Sequence, residues 1–204
     1  TERDVEDGDH NHRRDFRWQL REIATEPLLT NMSYSRRLCT VVEQLLGRRM
    51  LRRPIVDGNP VGGDGFSWGD ESTELDMDYT GVRGIYCTLP SANTTPKPDG
   101  IHSDAHPFQL GMVGLLEDVE PGGGAFKLWP GSHRHLYPAH YRQYDTPRIL
   151  AYDQLPSYRG LLHSPEYHAA MEKIREDTAP VDCWGAKGDV VLWHHRLAHA
   201  SAPN

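Results

Sequence analysis

Only three of the 204 residues are cysteine: Cys39, Cys87 and Cys183. An odd number at wide spacing excludes a disulfide frame and a cysteine-based zinc site, and it fits reduced thiols in a cytoplasmic protein. Cations are also few, since 22 Lys and Arg face 29 Asp and Glu and the net charge is −7. A phosphate-binding surface needs clustered Lys and Arg, so nucleic acid is not expected as a partner. No apolar run approaches the roughly 18 residues that span a bilayer, so no membrane partner is expected either. The first 22 residues are charged at more than half of their positions and lack an apolar stretch, so no secretion signal is expected there. Apolar residues make up a modest 37%, against 19 glycines and 15 prolines. That punctuation favours many short elements over a helical bundle, in a chain long enough for one domain with a buried core. No Gly-x-Ser-x-Gly elbow supports a serine hydrolase. The glycines at 122–124 lack the Lys-Ser/Thr pair of a phosphate loop.

Histidine is what the chain has in excess, with 12. The local patterns around these residues place them on elements. Residues 12–24 read as a short helix that Pro27 closes. Apolar positions at Leu38, Val41, Val42, Leu45 and Leu46 have helical spacing over 34–46, and Gly47 follows as a C-cap. Residues 57–70 hold five glycines and read as loop. β-formers over 82–89, ending at Pro90, predict a strand. The apolar run 108–119 predicts a buried strand, 120–124 a turn, and 125–129 a strand stopped by Pro130-Gly131-Ser132-His133. Ser164-Pro165-Glu166 opens a helix of about 12 residues: Ser caps, Pro fits the first turn and Glu suits the dipole. Residues 190–193 begin a strand running on to His199. The reading is a mainly β chain with flanking helices, and the segments 47–80 and 135–165 are left as loops.

His102-Ser103-Asp104 sets an imidazole and a carboxylate two residues apart. On extended backbone, residues i and i+2 share a face, so both can bind one ion. The spacing alone is weak, because 12 His and 17 Asp in 204 residues give about one such pair by chance. Its setting, between a turn-rich loop and an apolar strand, adds weight. So does His199 at the end of another apolar strand. One His-x-Asp plus a remote His is the donor set of the 2-His-1-carboxylate triad, which holds Fe(II) by one face and leaves positions open for substrate and oxygen. A closed four-ligand site would be structural instead. His106 extends the string and, taken by itself, also fits a zinc or two-metal hydrolase cluster. Pro107 and the end of the short strand favour His106 as a pocket residue that hydrogen-bonds substrate.

His102-Ser-Asp104, the segment 122–134 (Gly-Gly-Gly-Ala-Phe-Lys-Leu-Trp-Pro-Gly-Ser-His-Arg) and the segment 188–204 together resemble the phytanoyl-CoA dioxygenase family, in order and spacing, over about residues 82–204. The resemblance implies a double-stranded β-helix, a cupin-like jelly roll, over 82–204. Residues 1–80 would then be a helical and loop extension packing on the barrel of a single oxygenase domain. It implies Fe(II) held by His102, Asp104 and His199, with 2-oxoglutarate as cosubstrate and a small molecule plus O2 as partners. Oxidative decarboxylation yields succinate and CO2, and the substrate is hydroxylated. Related halogenases carry a small residue in place of the carboxylate, so Asp104 implies hydroxylation or another oxidation. Ser201 matches a position that touches the 2-oxoglutarate carboxylate. The family also pairs the far carboxylate with an Arg roughly ten residues past the distal His, as an Arg fork suits. That Arg is expected on a strand beyond Asn204, in a longer protein. Arg196 precedes His199 with the opposite strand parity and is not expected to replace it. Phe126 and Val113 depart from the family pattern. Tyr86 and Trp193 either line the substrate pocket or fill the barrel, as does Trp129. His133, His194 and His195 read as structural. The competing readings are a 2-oxoglutarate-independent cupin-like or zinc metalloenzyme and a catalytically inactive binding module.

Overall fold

The computed structural model describes residues 12–14, 17–20, 23–53, 55–56, 59–60, 62–69, 84–88, 100–104, 110–144 and 165–202. The chain divides into two units, Thr1–Cys87 and Thr88–Asn204.

In the first unit, the segment expected as a helix over 12–24 is instead a hairpin. Strand β1 (His12–Arg14) pairs antiparallel with β2 (Arg17–Leu20), Arg14 opposite Arg17. Trp18 and Leu20 alternate with Arg17 and Gln19, a period of two that the density of charges conceals. Pro27 opens a helix where it was expected to close one. It sits in the first turn of α1 (Pro27–Ser33), where its missing N–H costs no intrahelical bond. Helix α2 (Arg36–Leu46) forms as its apolar spacing predicts. Gly47, at φ 111°, ends it with an N–H bond to Glu43 O at 2.8 Å. A two-residue pair, β3 (Ile55–Val56) with β4 (Asn59–Pro60), interrupts the glycine-rich stretch. The strand expected over 82–89 is β5 (Ile85–Thr88), which joins the sheet in the order β1-β2-β5.

The second unit holds two antiparallel sheets and two helices among its described residues. In one sheet β6 (Leu110–Gly114) pairs with β9 (Val190–His194), Gly111 opposite Trp193. In the other, β7 (Phe126–Leu128) lies between β8 (Val181–Asp182) and β10 (His199–Ser201). Strand β6 is shorter than the apolar run and only half-buried. Its one sheet partner among the described residues is β9, and Leu116 beyond it is exposed. The strand expected from 190 to His199 is broken. Leu197 N–H closes a turn on His194 O at 2.9 Å, and the chain re-enters as β10. The Pro130-Gly131 corner ends β7 as expected. Ser132 then starts α3 (Ser132–Tyr144), a helix absent from the sequence reading. Pro138 inside it argues locally against helix, but burial of Leu136 and Ala139 decides the outcome. Helix α4 (Pro165–Asp177) matches expectation and packs on α3. The core of this unit gathers Ile101, Trp129, Leu136, Ala139, Tyr167, Met171, Ile174, Ala198 and Ala200.

Gly111 shows how closely the sheet faces are fitted. A Cβ there would lie 2.4 Å from Cε2 and Cζ2 of Trp193, inside any permissible contact. Gly111→Ala is therefore expected to displace the indole and destabilise the protein by about 1–3 kcal/mol, read by urea unfolding followed through tryptophan fluorescence. An unchanged midpoint would refute this packing.

Candidate metal centre

Two stretches of extended backbone build the site. His102 and His199 form an antiparallel bridge, exchanging N–H···O bonds of 3.0 and 2.8 Å. Residues directly opposite in such a pair point to the same face, so the two imidazoles meet, with ring centroids 4.4 Å apart. Asp104, two residues on from His102, points to that face too, and its N–H donates to His195 O at 3.0 Å. His199 and Asp104 are buried and His102 is the exposed member. One ligand atom from each of the three lies within 4.8 Å of the others.

The ring hydrogen bonds fix the orientation and tautomer of each imidazole. His102 Nδ1–H donates to Gly100 O at 2.6 Å, and His199 Nδ1–H donates to Leu197 O at 2.9 Å. Each bond needs the proton on Nδ1 and so leaves Nε2 as the ligand atom, the usual device for orienting a metal-binding imidazole. His199 Nε2 then faces Asp104 Oδ2 at 3.3 Å. Two electron-pair donors held that close, with little water, are stabilised by a shared cation. Two nitrogens and one carboxylate oxygen suit a divalent first-row metal such as Fe(II), so the residues present fit iron.

An aromatic wall stands beside the ligands. Phe126 and Trp193 lie 5.2 and 5.5 Å from the His199 ring and 4.7 Å from each other, by centroid. Phe126 opposes Ser201 in the register of β7 and β10, and Ser201 shares the face of His199 by strand parity. Trp193 therefore stands at the site, whereas Trp129 is buried in the core. Tyr86 is exposed on β5. His106 lies outside the described residues. Arg196 sits in the β9–β10 turn and not on a strand, so strand parity does not set its direction. Its guanidinium lies 5.3 Å from the Tyr137 ring centre. His194 and His195 stack on each other at 4.4 Å, and the His195 carbonyl supports Asp104. Partial burial, with the charges of Arg196 and His133, pushes the His194 pKa down. The neutral ring suits its Nδ1 as acceptor of the Arg196 N–H at 3.2 Å.

Sequence reasoning missed two hydroxyl supports. Ser132 Oγ accepts the Ala198 N–H at 2.8 Å, fixing the residue before His199. The Tyr167 hydroxyl accepts the Ser103 N–H at 2.8 Å, fixing the residue between the other two ligands. The Pro-Gly-Ser-His turn hinted at the first, and nothing local to Tyr167 hinted at the second.

A mononuclear centre of two histidines and one carboxylate is the donor set of non-haem iron oxygenases. The family model for phytanoyl-CoA dioxygenase (PhyH) matches residues 5–204, reaching well before the segment in which the resemblance was visible. The chain belongs to the phytanoyl-CoA dioxygenase family, whose members are in general Fe(II)- and 2-oxoglutarate-dependent dioxygenases. No curated protein and no solved structure matches it. Among the described residues, no helix is long and apolar enough to cross a membrane.

Proposed function

We propose that this protein is an Fe(II)- and 2-oxoglutarate-dependent hydroxylase of a small organic substrate. The observation that carries the reading is the His102, Asp104 and His199 cluster, with both imidazoles oriented by backbone carbonyls. When bound, iron and 2-oxoglutarate supply the oxidising power: one oxygen atom of O2 enters succinate with release of CO2, and the other enters a C–H bond of the substrate. The chain's own part is orientation and exclusion. His102, Asp104 and His199 hold the metal from one side. Ser201, on the face of His199, hydrogen-bonds the cosubstrate carboxylate. Phe126 and Trp193 keep water from the buried side, while the exposed His102 edge admits substrate. In this reading His106 is a substrate-contacting residue.

The two antiparallel sheets of the second unit belong, in this reading, to a double-stranded β-helix. The family match across residues 5–204 supports one oxygenase domain to which the first 80 residues also belong. Free thiols at Cys39, Cys87 and Cys183 support a reducing compartment, the cytoplasm. Burial pushes the Cys39 thiol pKa up, as expected of an inert structural cysteine.

Anaerobic addition of 2-oxoglutarate to the Fe(II)-loaded protein tests the reading. Chelation is expected to produce a visible metal-to-ligand charge-transfer band, and oxygen is then expected to discharge it with formation of succinate. Absence of the band, together with tight Zn(II) binding that supports hydrolysis, would establish the zinc enzyme instead.

A further inference from the structure

We propose that Tyr167, a helix residue outside the ligand motif, positions the His102-Ser103-Asp104 segment for metal binding through its hydroxyl. The inference rests on the reading of that cluster as a metal site. In extended backbone the N–H groups of successive residues point to opposite edges. Those of His102 and Asp104 point to one edge and are taken by the carbonyls of His199 and His195, at 3.0 Å each. That of Ser103 points to the other edge, where no strand among the described residues pairs with it. Tyr167 on α4 closes this edge. Its hydroxyl accepts the Ser103 N–H at 2.8 Å and lies 3.1 Å from Ser103 Oγ.

Both partners are buried, Ser103 at 1% exposure and Tyr167 at 4%, so water cannot replace the bond. A buried N–H left without an acceptor is costly, and the short segment relieves that cost by shifting or rotating. Such a shift moves His102 and Asp104 together, because they flank the residue that is held. The hydroxyl therefore reaches the metal only through the backbone, and Tyr167 is a positioning residue rather than a ligand. The Ser132 hydroxyl holds Ala198 in the same way on the opposite stretch. The two helices thus clamp both ligand-bearing stretches from the core side.

The test is Tyr167→Phe, which removes one oxygen and keeps the ring in the core, compared with the wild type and Met171→Ala by Co(II) and Fe(II) titration. Met171 is a buried core residue one turn further along α4. Tyr167→Phe is expected to weaken metal binding about tenfold, as loss of an outer-sphere partner does, and to change the Co(II) d–d spectrum at saturating metal. Met171→Ala is expected to lower the melting temperature while leaving the saturated spectrum as in the wild type. The inference is overturned if Tyr167→Phe lowers only the melting temperature and its saturated spectrum matches the wild type. Should Tyr167→Phe fail to fold, amide exchange in the wild type decides: a Ser103 N–H held by Tyr167 exchanges slowly, and rapid exchange overturns the inference. A wild type that binds neither metal fails the parent reading. A wild type that binds both, with Tyr167→Phe indistinguishable, fails this inference alone.

Discussion

Asp104→Ala is expected to abolish turnover and to weaken Fe(II) binding by more than the roughly 10–100-fold that loss of an outer-sphere partner costs. Asp104 supplies the only negative charge in the cluster, and its Oδ2 lies 3.3 Å from His199 Nε2. Without it, two neutral imidazoles face a dication with no compensating anion. The variant is nonetheless expected to fold. Its backbone N–H still bonds His195 O, and removing a buried carboxylate from the metal-free site relieves a desolvation cost. The two effects separate in a melting experiment. Fe(II) raises the melting temperature of the wild type, because a ligand that binds only the folded state at about 100 times its Kd adds about 2.7 kcal/mol. Asp104→Ala shows no such rise at the same concentration. Turnover that survives the substitution would remove Asp104 from the ligand set and, with it, the iron oxygenase reading.

The ligand set was legible in the sequence because its chemistry is local at one end. His102 and Asp104 need only extended backbone to share a face, and a remote His in an apolar segment completes the set. What lay out of reach was everything held by contacts between distant residues. Tyr167 meets Ser103 across 64 positions, and Ser132 meets Ala198 across 66. A hydroxyl on a helix gives no periodic signal of where it is aimed. Local rules also failed where packing opposed them. Pro138 argues against a helix that Leu136 and Ala139 nevertheless bury. The stretch from 190 to 199, apolar and His apart from Arg196, conceals a tight turn, because none of the turn residues His194, His195, Arg196 and Leu197 is Gly, Pro, Asn or Asp. At the N-terminus a dense set of charges hid the two-residue alternation of Trp18 and Leu20.

The alternation at the other end of the chain sets the second large effect. Ala198, His199, Ala200 and Ser201 follow a period of two: His199 and Ser201 face the site, while Ala198 and Ala200, at 0% and 1% exposure, face the helices. Small side chains at these positions let α3 and α4 approach the ligand strand closely. The space between is filled by Leu136 from α3 and Ile174 from α4, both at 0% exposure and both in one cluster with Ile101, the residue before His102. Ile174→Ala therefore opens a cavity directly behind both ligand-bearing stretches. It is expected to cost about 2–5 kcal/mol in urea unfolding, where the gentler Ile174→Val costs about 0.5–1.5 kcal/mol. The cavity lies on the opposite face of the strand from the imidazoles, and the Tyr167 and Ser132 bonds remain. The saturated Co(II) spectrum of Ile174→Ala should consequently match the wild type even as the protein melts earlier. A loss below about 1 kcal/mol would mean that the helices collapse onto the alanines without strain, and the core would then be looser than its burial indicates.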